Sequence, residues 1–198
     1  MTCVSNDFAV ATRIVNFADF LAGEPNLRIR DERAADFSAR EKLLDGCFGT
    51  ARREKTSERL REGRLPAAGL ALAAVEGGRL VGTLRLWHVD VGSAACPALL
   101  LGPLAVAPCR RSQGLGTLLI CEALRRASVR GYNGVLLVGD LAYYGRFGFS
   151  RQLTTMLDLP EPVDRARFLG LELEAGALAR AKGMVRAAGA FEVAALAA

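Results

Sequence analysis

The sequence predicts one α/β (α+β) domain, and three features point to it. A glycine-turned hairpin occupies 70–89. A glycine-rich loop at 110–117 leads from an apolar strand into an amphipathic helix. A second short apolar strand, 134–138, follows that helix. Periods of two and of about 3.6 thus alternate along one chain, as strands and helices packed in layers require.

The elements are read in chain order. Residues 1–26 carry no sustained periodicity and read as an arm or extension. Leu27-Arg28-Ile29-Arg30 alternates as a short strand. Asp31 is placed to cap a helix whose apolar face is Ala34, Ala35, Phe37, Ala39, Leu43 and Leu44, stopped at Gly46 or Gly49. A more charged helix is expected over Arg53 to Glu62, ended by Gly63 and Pro66. Leu70 to Val75 and Leu80 to Val89 form the hairpin around Gly77-Gly78, which supply the positive φ angles of a tight turn. Leu99 to Val106 is the next strand. Gly102-Pro103 interrupts it, because proline cannot donate to a ladder.

Leu115, Leu119, Ala123 and Ala127 then recur every fourth residue, with Ile120 and Leu124 beside them. Glu122 and Arg126 pair on the polar side. This helix should end near Gly131, before the buried strand 134–138. Asp140 can cap a short helix through Tyr144. Further strands are expected around Leu153 to Leu159 and Phe168 to Leu173. The alanine-rich 176–198 reads as a helical tail.

Composition narrows the functions. The chain has 198 residues, a net charge of +5, five cysteines and one histidine. The prolines at 97, 103 and 108 break the longest uncharged run, which excludes a membrane helix there. Met1 to Asp7 lacks the basic start of a signal peptide. The cysteines are scattered without a C-x-x-C, so no metal site is expected, and reduced thiols fit a cytoplasmic protein. The arginines form no run interleaved with aromatics, so a nucleic-acid partner is not expected.

The chemistry lies in Arg110-Arg111-Ser112-Gln113-Gly114-Leu115-Gly116-Thr117. Gly114 and Gly116 let the backbone turn and bare its N–H groups, and the helix start adds unpaired donors. Together these form a cradle for an anion such as a pyrophosphate, with Arg110 and Arg111 adding charge at its rim. A Walker loop needs a lysine that is absent, and a dinucleotide fingerprint needs a glycine where Leu119 stands.

The spacing of Arg111, Gly114 and Gly116 resembles the R-x-x-G-x-G loop of the GNAT superfamily of acyl-CoA-dependent N-acetyltransferases. Tyr143-Tyr144-Gly145-Arg146-Phe147-Gly148-Phe149 resembles that superfamily's second hallmark, and 99–149 is similar to a bacterial N-acetyltransferase branch. The resemblance implies a GNAT domain over 27–175. Its central sheet would be mixed, mostly antiparallel and twisted, with about six to seven strands splayed at the acyl-CoA site and about four flanking helices.

It also implies roles. The backbone of Leu104, Ala105 and Val106 would bind pantetheine, and the N–H groups from Arg111 through Thr117 the pyrophosphate of acetyl-CoA. Asp140 and Tyr143 would touch the cofactor. Tyr144 would be the general acid that protonates the departing thiolate as an amine attacks the thioester. Many members carry a glutamate base on the strand before the loop. Leu99 to Val106 has no carboxylate, which leaves His88, Asp90 or a water relay.

The acceptor amine and a homodimer stay open. The alternatives are transfer of another acyl group and a non-catalytic acetyl-CoA sensor.

Overall fold

The computed structural model describes residues 24, 26–54, 56–92 and 96–192. Most of the expected N-terminal arm lies outside them. Eight strands form one sheet: β1 (Leu27–Asp31), β2 (Ala71–Glu76), β3 (Arg79–Val91), β4 (Ala98–Val106), β5 (Gly134–Val138), β6 (Leu157–Asp158), β7 (Phe168–Glu172) and β8 (Gly183–Ala187). The helices are α1 (Phe37–Phe48), α2 (Thr56–Arg59), α3 (Leu115–Val129) and α4 (Leu141–Tyr144).

The main order is β1-β2-β3-β4-β5-β7, with β8 pairing with β3 and β6 with β8. All neighbours are antiparallel except β4 with β5 and β6 with β8. The hairpin turns at Gly77 and Gly78, both at positive φ.

The two faces of the sheet bury separate apolar clusters. On one, α3 lays Leu115, Leu118, Leu119, Ile120, Ala123, Leu124 and Ala127 among Leu72, Leu84, Leu99, Val135 and Leu137. Burying each such leucine stabilises the fold by about 1.5–3 kcal/mol. Trp87, Val91, Leu100, Leu136, Phe168 and Val185 fill the other face with Leu60. Glu122 is buried, 8% exposed, rather than on an open polar face. Arg125 and Arg126 neutralise it at 2.9 and 2.7 Å.

Between β4 and β5 the sheet opens. They pair only from Ala98↔Gly134 to Leu100↔Leu136. Beyond Leu100, β4 follows β3 and β5 follows β7. The β3–β4 register shifts between Leu84↔Leu104 and Leu86↔Leu101, so Gly102 and Pro103 bulge opposite Arg85. The buried Trp87 indole N–H donates to the Gly102 carbonyl at 2.6 Å, satisfying a group the bulge removes from the ladder.

Several expectations are corrected. The helix read over 53–62 is a 3-10 turn at Thr50–Glu54 followed by the four-residue α2. Within α1 only Arg40 and Leu44 are buried, and Phe37 is 57% exposed. The strand expected over 153–159 shrinks to Leu157–Asp158.

The helical reading of 176–198 fails at β8. Val185 is buried between the exposed Met184 and Arg186, the alternation of a strand. β8 pairs with β3 at Val89 to Val91, beyond the reach of β2. After it, the Leu65 amide donates to Ala190 and the Glu192 amide to Gly63, tying the C-terminal segment to the chain beyond α2.

Candidate active site

The glycine loop is a donor surface. The Leu118 amide reaches the Gly114 carbonyl at 3.0 Å, the first helical bond of α3. The amides from Ser112 to Thr117 make no backbone hydrogen bond among the described residues. Ser112 and Gly114 hold positive φ, 59° and 82°, which turns successive N–H groups toward one side. The Arg111 amide donates instead to Pro108 at 3.3 Å. The free run therefore starts one residue later than the sequence suggested.

These amides wall a cavity of about 280 Å³, lined by Val106, Arg110, Arg111, Ser112, Gly114 to Thr117, Tyr143 and Arg146. Arg110 does not serve as a free rim cation. Its side chain, 13% exposed, lies between Glu24 at 3.2 Å and Glu76 at 3.5 Å. Arg146 adds charge to the wall, its guanidinium 4.2 Å from the centre of the Tyr143 ring. Its place three residues after Tyr143, one helical turn on, is the sequence signal that could have found it.

A larger cavity of about 610 Å³ occupies the gap between β4 and β5. Leu101 to Leu104 wall one side and Val138, Gly139 and Asp140 the other, with Tyr143 common to both cavities. The Ala107 amide donates to Val81 at 2.9 Å. By the alternation of an antiparallel ladder, Ala105 therefore turns its backbone groups to β3, and Leu104 and Val106 present theirs to the open edge. The Val106 carbonyl is met by Arg111 Nε at 3.2 Å and Cys47 Sγ at 3.5 Å.

Tyr144 lines the larger cavity. Its ring meets Tyr143 edge-on at 4.9 Å and Phe149 at 5.9 Å. Burial pushes its phenol up to about 12; Tyr143 adds to the rise, and the Arg167 cation partly offsets it. Gly139 makes room for this ring, since a Cβ there would lie 2.3 Å from it. Asp140 caps α4, accepting the Ala142 amide at 2.9 Å.

His88 and Asp90 are not brought to either cavity. His88 pairs with Leu99 at the opposite end of β4 from the loop and packs on Tyr132, ring centres 5.6 Å apart. At about 3.3 Å per residue, that is roughly 20 Å from Val106. The carboxylates on the larger cavity are Glu58, Asp140 and Asp164, and its cations Arg52, Arg61 and Arg167. Apart from Asp140, sequence reasoning missed all of these, because α2 and the loop before β7 carry no motif. Among the described residues, no group of three or more His, Cys, Asp or Glu gathers to hold a metal, and no helix is long and apolar enough to cross a membrane.

The site is thus a mixed sheet splayed beside a glycine-rich helix start, with a tyrosine lining the gap. Comparison with known proteins gives the family. The acetyltransferase (GNAT) domain family matches residues 28–151. The uncharacterized N-acetyltransferase YhbS of Escherichia coli (strain K12) is 34% identical over 121 residues, covering 61% of this chain and 72% of the relative.

A crystal structure of E. coli YhbS in complex with CoA superposes with a TM-score of 0.72 at 30% identity, over 82% of this chain and 90% of the other. A GNAT family acetyltransferase from Brucella melitensis in complex with acetyl-CoA gives 0.57 at 27%, over 84% and 96%. The chain belongs to the GNAT family of N-acetyltransferases.

Proposed function

We propose that this enzyme moves the acetyl group of acetyl-CoA onto a primary amine by direct attack on the thioester. The observation that carries the reading is the run of six amides, Ser112 to Thr117, left without backbone acceptors beside the splayed strands. The diphosphate would lie on those amides and on Arg111. Pantetheine would run along the open edge at Leu104 and Val106, with Arg111 leaving the Val106 carbonyl. Asp140 and Tyr143 would flank the cofactor.

In the reaction the amine nitrogen bonds to the acetyl carbon and the carbon–sulfur bond breaks. Tyr144 gives its proton to the departing thiolate. A phenol held up to about 12 keeps that proton at neutral pH and remains a weaker acid than a free tyrosine, so positioning must supply the advantage. Of the cavity carboxylates, Glu58 is paired with Arg61 and Asp140 caps α4, which leaves Asp164 to take the amine proton. The four described cysteines are free thiols, in keeping with a cytoplasmic setting.

The test has two arms. Acetyl-CoA at a hundredfold excess over its Kd should stabilise the fold by about 2.7 kcal/mol. Tyr144→Phe should keep that stabilisation and lose about 10²-fold in kcat. Unchanged turnover with bound cofactor would remove the acid role.

A further inference from the structure

Beyond the cofactor, the larger cavity holds a buried cation with one carboxylate partner and one idle donor. Arg61 follows α2, and its side chain is 7% exposed. Nη2 meets the Glu58 carboxylate at 2.6 Å and the Ser57 hydroxyl at 3.4 Å. Nε is buried without a hydrogen-bond partner. Nη1 lies against Gly102, 3.4 Å from where a Cβ would stand. The guanidinium thus sits at the β4 bulge, two residues before the backbone edge at Leu104. Burial weakens its hold on the proton, and Glu58 only partly offsets this.

Most of the other charges on the cavity wall have partners. Arg52 is matched by both Glu41 at 2.5 Å and Asp45 at 2.8 Å. Asp140 caps α4, and Asp164 accepts the Ala166 amide at 2.8 Å. Arg167 has no ion pair among the described residues and stands close enough to Tyr144 to act on its phenol. Its carbonyl accepts the Gly139 amide at 2.8 Å, which fixes it at the end of β5. The cations of this wall with capacity left for a ligand are Arg61 and Arg167.

A buried guanidinium with one carboxylate partner gains from a second anion at its Nη1 edge, beside Gly102. We infer that the acceptor is a small amine bearing a carboxylate, of the amino-acid class, whose carboxylate is bound by Arg61 at the β4 bulge while its amine faces the thioester near Leu104. Arg167, on the opposite wall, adds positive potential that favours the same anion. This names the substrate class of the transferase reading and rests on it.

The test compares L-amino acids with their carboxamides and their decarboxylated amines. With acetyl-CoA saturating, kcat/KM should favour the acid by about tenfold or more, one charge-assisted hydrogen bond's worth of selectivity. Arg61→Met should remove that preference by raising KM for the acid, with the Kd of acetyl-CoA unchanged. Arg167→Gln, at an exposed position outside the core, should weaken the preference with the fold intact. Thermal shifts with acid against carboxamide, read without cofactor, should show the same order and the same loss.

A wild type that binds or acetylates carboxamides or plain amines as well as acids overturns the inference, as does a preference surviving both substitutions. Failure of acetyl-CoA to bind would instead overturn the transferase reading. The cofactor-free shifts still decide the anion site in that case.

Discussion

A Cβ on Gly116 would lie 2.6 Å from the Tyr143 hydroxyl. The first turn of α3 and the end of α4 therefore meet at the donor cradle. Gly116 is open because Tyr143 needs the space, and because a diphosphate on the amides would need it as well. Gly116→Ala should raise the Kd of acetyl-CoA about tenfold or more, and leave Tm within a few degrees. Gly116→Ala combined with Tyr143→Phe should recover part of the affinity, since the clash is with the hydroxyl. Calorimetric titration of the three proteins checks this.

Trp87→Phe keeps most of the ring but removes the donor to Gly102. The carbonyl is then left unpaired in the bulge, at a cost of about 1–3 kcal/mol. Urea denaturation should show that loss in the midpoint with little change in slope. The bulge also walls the larger cavity, so KM for the amine should rise more than KM for acetyl-CoA.

Glu32 joins β1 to α1 and β3. It pairs with Arg40 and with Arg85, whose Nε is 2.8 Å from the carboxylate. Arg40 is 6% exposed. Arg40 also meets Glu41 at 2.9 Å, so Glu32→Gln removes one of its two counter-charges, with an expected loss of about 1–3 kcal/mol. Equilibrium unfolding against the wild type measures it.

The pH dependence has two ends. Hydrogen bonding to Arg30 holds the Asp36 carboxyl down at about 2, and the Arg33 amide adds to the effect. A depressed folded value stabilises the fold above the unfolded value, near 4, and that stability fades as pH falls toward 2. Asp36→Asn should flatten this part of a stability profile measured from pH 5 to 2.

Tyr144 acts at the alkaline end. Its folded value near 12 exceeds an unfolded value near 10, so its share of stability is present below pH 10 and lost as pH rises through 12. The same value keeps the proposed acid protonated. The rate should climb as the amine loses its proton, with no fall caused by Tyr144 until pH approaches 12. An alkaline limb centred near 10 that disappears in Tyr144→Phe would contradict the buried environment of the ring.

Much of this molecule is written locally. The hairpin at Gly77-Gly78, the four-residue recurrence of α3, the glycine cradle and the Asp140 cap depend on neighbours in sequence, through φ angles, helix ends and periodicity. Each is legible in the order of the residues alone. The bulge at Gly102-Pro103 was legible as an interruption, because proline cannot donate to a ladder wherever it lies, whereas the splay between β4 and β5 came only with the family resemblance.

Other features answer to distant partners. Arg110 and Arg111 are adjacent, yet one turns to Glu24 and Glu76 and the other to Val106. β8 is five residues that become a strand only because β3 extends past β2 to receive them. His88, chosen as a base for its chemistry, lies at the far end of β4, while Arg61, without any motif, is folded against Gly102. Local rules describe which backbone groups are free. Which side chains meet in the cavity is decided by long-range packing and ion pairing, whose free energy depends on residues scores of positions apart in the chain.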